Sequence, residues 1–158
     1  VGLIMKIFQA VSADDYHQAR GLIEEYAASL GVDLEFQNFS HELDTLAEEY
    51  GAPSGCLLLA QEAEQLLGCV ALRKIDADTC EMKRLYVSPI GRGRGAGRAL
   101  ANALIAEARK LGYERMRLDT LPSMREARRL YASLGFREIA PYRFNPIAGT
   151  SFMELSLD

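Results

Sequence analysis

The chain has 158 residues, 49% hydrophobic and 25% charged, with a formal net charge of -4. That length and balance fit an ordinary globule with a real core, so residues 1–158 are expected to form a single domain. They exclude a membrane span, since no apolar run nears the ~20 residues one requires.

The N-terminal stretch Val1 to Ala10 is too short for a signal peptide and contains Lys6. Met5 is a candidate natural start, with Val1 to Ile4 preceding it. Cys56, Cys69 and Cys80 are odd in number and lack metal-ligand spacing. They read as reduced, mostly buried thiols, and a cytoplasmic location is expected. With only His17 and His41 available, no metal is expected. Charge is divided unevenly: residues 1–68 carry a net -10 and residues 69–158 a net +6. A basic half in an acidic chain suggests one local polyanionic ligand rather than a nucleic-acid surface, and no membrane partner is expected. The plain alternative is chance clustering of surface charge.

In chain order, Met5 to Val11 reads as a first strand. Ser12 can cap the next helix, with Asp15 in a capping-box position. Ala19, Leu22, Ile23, Tyr26, Ala27 and Leu30 then fall at helical spacing, and Gly31 stops the run. A second helix is predicted from Ser40 to Tyr50, broken by Gly51, Pro53 and Gly55. Cys56 to Gln61, Gln65 to Lys74 and Thr79 to Val87 read as an antiparallel meander with short polar turns. Ala96 to Leu111 carries the apolar face of a long helix closed by Gly112. Arg115 to Asp119 alternates as a strand, and a helix through Ala127, Leu130, Tyr131 and Leu134 ends at Gly135. Phe136 to Ala140 and Ser151 to Leu157 close the chain as strands. The order is βααβββαβαββ, an α/β domain with a mixed central β-sheet. The crossover through the long helix should join two parallel strands.

The most informative stretch is Ser88-Pro-Ile-Gly-Arg-Gly-Arg-Gly-Ala-Gly-Arg98, between a strand and a helix. Glycines at alternate positions let the backbone turn sharply and approach a ligand closely. The free N–H groups of the following helix and the positive end of its dipole favour an anion. Arg92, Arg94 and Arg98 add charge suited to phosphate. A P-loop needs Gly-Lys-Ser/Thr, but Gly97 is followed by Arg98-Ala99. A dinucleotide fingerprint is met loosely by Gly91-x-Gly93-x-x-Ala96, with Asp119 as a distant ribose-binding acid. That loop, however, comes late in the chain, and only one βαβ unit follows it.

Arg92-x-x-Gly95-x-Gly97 matches the Arg/Gln-x-x-Gly-x-Gly/Ala signature of the GNAT acyltransferases. Glu81-Met-Lys-Arg-Leu-Tyr-Val87 resembles the fourth strand of that family, and Leu130-Tyr-Ala-Ser-Leu-Gly-Phe136 resembles its LYxxLGF segment. The element order is similar from Met5 to the end. The resemblance implies a single GNAT-type domain that binds acetyl-CoA through the loop amides of Arg92, Gly93, Arg94, Gly95, Ala96, Gly97 and Arg98. It implies that the backbone of Leu85, Tyr86 and Val87 borders the pantetheine arm, with the Leu85 N–H polarising the acetyl carbonyl. Met124 stands where many members carry an Asn that touches pantetheine.

Tyr131 matches the family tyrosine beside the sulfur, a candidate to protonate or hydrogen-bond the thiolate; its alternative is a ring packed in the core. Glu81 lies four residues before Leu85, which places it on the same face of a regular strand. It matches a Glu that deprotonates the incoming ammonium in some members, and otherwise is a solvated strand carboxylate. Tyr142 and Asn145 resemble a loop closing over the acceptor; the alternative is a plain turn bounded by prolines. The implied reaction is direct transfer of acetyl to a primary amine, on a small molecule or a peptide. A CoA-binding regulatory module without turnover is the alternative of a different class, and a homodimer is left open.

Overall fold

A computed structural model describes residues 4–158, so Val1 to Leu3 lie outside the described residues. The elements are β1 (Met5–Gln9), α1 (Ala13–Leu30), α2 (Phe39–Asp44), α3 (Leu46–Glu49), β2 (Cys56–Glu62), β3 (Gln65–Lys74) and β4 (Thr79–Val87). They continue as α4 (Ala96–Lys110), β5 (Arg115–Thr120), α5 (Arg125–Leu134), β6 (Arg137–Ile139) and β7 (Ser151–Ser156).

The expected order therefore holds, with one local difference. The helix predicted from Ser40 to Tyr50 is two short helices, broken at Thr45. Its Oγ1 donates to the His41 carbonyl at 2.7 Å, a local bond that competes with regular helix geometry. The predicted cap of α1 is present. Ser12 Oγ accepts the Asp15 N–H at 3.0 Å, the Asp15 carboxylate accepts the Ser12 N–H, and Gly31 closes the helix in the left-handed region.

Seven strands form one mixed sheet in the order β1-β2-β3-β4-β5-β7-β6. Among the described residues only β4 and β5 run parallel, joined through α4 as the crossover predicts. The last strand, β7, inserts between β5 and β6. Helix α4 covers one face, burying Leu100, Leu104 and Ala108 against Leu58, Val70, Leu72 and Met82. Helix α1 covers the other, burying Leu22 and Ile23 against Leu57, Leu59 and Ala71. A completely enclosed leucine such as Leu104 contributes ~1.5–3 kcal/mol relative to exposure. All three cysteines are free and buried between these layers, and burial pushes each thiol up to about 12.

The irregularity that matters is in β4. Lys83 pairs with Ala71 and Tyr86 with Cys69, so two residues, Arg84 and Leu85, oppose the single Val70. This is a β-bulge, and Arg84 takes it up with φ of 59°. The strained conformation is held by the side chain. Arg84 Nε and Nη2 reach the two Glu42 oxygens at 2.8 Å, and Nη2 also donates to Gln37. The guanidinium lies 5.2 Å from the Phe39 ring centroid and 5.8 Å from that of Tyr26. Burial alone would raise the Glu42 carboxyl, but hydrogen bonds and charge from Arg84 hold it below its ordinary value. Beyond the bulge β3 and β4 run so close that a Cβ on Gly68 would lie 2.3 Å from the Tyr86 carbonyl oxygen.

The bulge also turns β4 away from β5. Their pairing is confined to Thr79–Arg115, Cys80–Met116 and Glu81–Arg117. Removing one partner of a buried ion pair leaves the other charge uncompensated. Glu42→Ala should therefore lower the unfolding free energy by roughly 3–5 kcal/mol, measured by urea denaturation. A loss below ~1 kcal/mol, the level of an exposed pair, would show that Arg84 does not need its carboxylate.

Candidate active site

Where β4 and β5 separate, a cleft of about 630 Å³ opens. One wall is the freed edge of β4, lined by Leu85, Tyr86 and Val87; the other is the start of α5, with Ser123, Met124, Arg125, Ala127 and Leu130. Ser88 donates its N–H to Leu67 of the β3 side at 2.8 Å. Strand alternation therefore turns the Tyr86 amide toward β3 and those of Leu85 and Val87 toward the open edge.

The floor at one end is the glycine-rich turn, where Gly91, Arg92, Gly93, Gly95, Ala96 and Gly97 all line the cleft. Gly93 and Gly95 have φ of 78° and 77°, conformations that L side chains resist. Gly95 caps the 15-residue helix α4, which has no side-chain cap. The first-turn N–H groups of Ala96, Gly97 and Arg98 therefore lack an intrahelical acceptor. This cradle fits a pyrophosphate: free amides, the helix dipole, and the cations Arg92 and Arg125 lining the same cleft.

The three loop arginines do not act together. Only Arg92 lines the cleft. Arg94 pairs with Glu62, and Arg98 donates to Ser133 Oγ at 2.9 Å.

The cleft continues into a smaller cavity of about 30 Å³, shared at Tyr26, Leu30, Leu85 and Met124. Its walls include Lys83, Arg84, Asp119, Tyr131 and Asn145. Tyr131 is buried, its ring 5.7 Å from that of Phe136. Burial raises its phenol well above the ordinary value, so it stays a neutral O–H donor. Asn145 is brought to the same place and donates to Asp119 Oδ2 at 3.2 Å.

Glu81 and Tyr142 lie elsewhere. The expectation that Glu81 shares a face with Leu85 fails, because the extra residue in the bulge reverses the alternation after Lys83. Leu85 packs toward the α4 layer, whereas Glu81 points to the opposite face, completely enclosed. Its Oε1 accepts from Arg73 Nε at 2.9 Å; its Oε2 accepts from the Tyr142 hydroxyl at 2.6 Å and pairs with Arg143. Arg73 also pairs with Glu49 at 2.6 Å. Glu81 is thus the centre of an ion cluster that ties the 140–150 loop to the sheet.

Lys83 and Arg125 are not singled out by sequence motifs, and Asp119 enters the sequence reading only as a ribose acid. The bulge that follows Lys83 and parts β4 from β5 beside it has no sequence signature. Among the described residues no cluster of His, Cys, Asp or Glu could hold a metal ion, and no helix is long and apolar enough to cross a membrane.

Residues 16–136 match the acetyltransferase (GNAT) family. The chain belongs to the GNAT acetyltransferases. It is 41% identical over 145 residues to an uncharacterized N-acetyltransferase of Schizosaccharomyces pombe, covering 90% of this chain and 89% of that one. It is 34% identical over 141 residues to an IAA acetyltransferase of Azospirillum brasilense, covering 86% and 88%. Its fold is that of a GNAT-family acetyltransferase from Staphylococcus aureus, with a TM-score of 0.81 at 18% identity, covering 98% and 100%. A Salmonella typhimurium structure with its cofactor acetyl-CoA has a TM-score of 0.69 at 24% identity, covering 98% and 95%.

In this GNAT domain the Lys83 amine is pushed down to about 7, first by burial and then by the charges of Arg84 and Arg73; Glu42 and Asp119 only partly offset them. Above pH 7 the native state therefore lacks a proton that the unfolded chain, with an ordinary lysine, still binds. Stability attributable to this group should rise with pH, by up to ~1.4 kcal/mol per unit. Urea unfolding from about pH 6.5 to 8.5 should show that rise in wild type relative to Lys83→Met. Parallel profiles would mean that Lys83 titrates normally.

Proposed function

We propose that the chain transfers an acetyl group from acetyl-CoA to a primary amine within a ternary complex. The observation that carries this reading is the continuous path from the amide cradle at Gly93–Gly97, along the free edge of β4, into the cavity at Tyr131. When bound, acetyl-CoA supplies a thioester-activated acyl group and a thiol leaving group.

The amides at the start of α4, with Arg92 and Arg125 beside them, hold the pyrophosphate. The free backbone groups of Leu85 and Val87 act as a strand edge for pantetheine amides, with Tyr86 anchoring the strand on the α1 side. The Leu85 N–H points where carbonyl charge develops and stabilises it without a dedicated side chain. Tyr131 donates a hydrogen bond to the sulfur. Its raised pKa makes full proton transfer to a thiolate of ordinary pKa ~8.5 unfavourable, so its role is electrostatic.

An alkyl ammonium of pKa ~10 must lose a proton before attack. Glu81 has both oxygens engaged by Arg73, Arg143 and Tyr142, so we assign it to holding the acceptor loop. Asp119 faces the cavity with one hydrogen bond, from Asn145. We assign it to orienting the ammonium and receiving its proton through water.

Thiol release from acetyl-CoA across amines, amino acids and peptides tests the reaction. Acetyl-CoA should raise the melting temperature by mass action and NADH should not; the reverse pattern would sink the reading. Gly95→Val, which forces a branched side chain into a left-handed conformation at the cradle, should weaken CoA binding in a folded protein. Tyr131→Phe should lower kcat by roughly 10- to 100-fold, the range of a charge-assisted hydrogen bond, with CoA affinity nearly unchanged. A wild-type rate in Tyr131→Phe would reduce its ring to a packing element. Glu81→Gln should disturb acceptor KM more than the pH dependence of kcat; a deficit recovered simply by raising the pH would make Glu81 the base after all.

A further inference from the structure

The parallel register of β4 and β5 ends at Glu81–Arg117. Two residues farther along each strand stand Lys83 and Asp119. Continued pairing would set this cation and this carboxylate side by side. Because the strands part, both instead line the small cavity, and among the described residues no ion pair joins them.

Lys83 is unusual on two counts. It is 94% enclosed, with a relative exposure of 6%. Among the described residues its amine has neither a hydrogen bond nor an ion pair, whereas the adjacent Arg84 is saturated by Glu42 and Gln37. An amine on so enclosed a side chain is costly without a counterion, and Lys83 lines the cavity, which is where a counterion would go. The cavity has room for about two waters, enough for the oxygens of a carboxylate, and it opens into the larger cleft, which has room for the rest of a small ligand.

We infer that the acceptor is a small zwitterion, an amine carrying its own carboxylate, which seats its carboxylate in the cavity against Lys83 and keeps its amine at the cavity mouth, on the Asp119 side. This rests on the transferase reading and adds the chemical class of the acceptor. A bound carboxylate favours the ammonium form of Lys83 that burial disfavours. The opposite charge at Asp119 then leaves one orientation in which the amine faces Leu85 and Tyr131 at the mouth of the cleft. A simple cationic amine would satisfy Asp119 and leave Lys83 unpaired.

The test compares the standard L-amino acids with their carboxamides as acceptors, using intact protein and acetyl-CoA. For whichever side chain is accepted, wild type should prefer the free acid over the amide by on the order of 10- to 100-fold in kcat/KM, as for a hydrogen bond to a charged group. Lys83→Met should abolish that preference by raising KM for the acid. Lys83→Arg, which keeps the charge, should retain most of the preference. A purely structural role for Lys83 would change both acceptor series equally. Equal use of acids and amides by wild type, or an undiminished preference in Lys83→Met, would overturn the inference and leave the transferase intact. Turnover of neither series, with acetyl-CoA still raising the melting temperature, would also overturn it. Absence of any acetyl-CoA-induced shift would instead bring down the transferase reading beneath it.

Discussion

The bidentate bond between Arg84 and Glu42 is the constraint on which the site depends. It fixes a non-glycine residue at positive φ inside a strand, a conformation with a cost of order 1–3 kcal/mol that persists only when surroundings over-determine it. Here they do: a carboxylate, an amide and two aromatic rings enclose one guanidinium. From that fixed point follow the bulge, the turning away of β4 and the opening against β5. The short helix α2 carries Glu42 and so belongs to the same device.

The same geometry divides the polar residues of β4 between two duties. Glu81, before the bulge, is sealed in an ion cluster with Arg73, Arg143 and Tyr142. Lys83, just before the bulge, lines the cavity, and among the described residues its amine has no partner. Leu85 and Val87, past it, contribute backbone in place of side chain. A sheet edge inside a molecule is ordinarily a liability; here α5 stands across the gap and makes it a wall of the cleft.

Much of this was legible in the sequence. Helical periodicity, the Ser12–Asp15 cap and the polar turns gave the elements, because each rests on local chemistry. The glycine-rich turn also announced itself, since alternating glycines before a helix are an anion cradle by geometry alone. What escaped was non-local. Strand periodicity carries through an uninterrupted run, so nothing in Glu81-Met-Lys-Arg-Leu-Tyr-Val87 marks Arg84 as the extra residue. The bulge is chosen by Glu42, about forty positions away in the chain. Placing Glu81 on the Leu85 face was the direct consequence of that gap. The loop arginines likewise look equivalent in sequence, and only folding assigns Arg94 to Glu62 and Arg98 to Ser133.

The three enclosed cysteines bear on the chemistry from a distance. With thiols held near 12, the reactive thiolate form is scarce at neutral pH, and burial denies access to what remains. Under the proposed reaction each turnover sets free a small-molecule thiol beside the protein. Cys56, Cys69 and Cys80 offer it neither a nucleophile for stray acyl capture nor a ready partner for a mixed disulfide. The domain can stand in its own product without being modified by it.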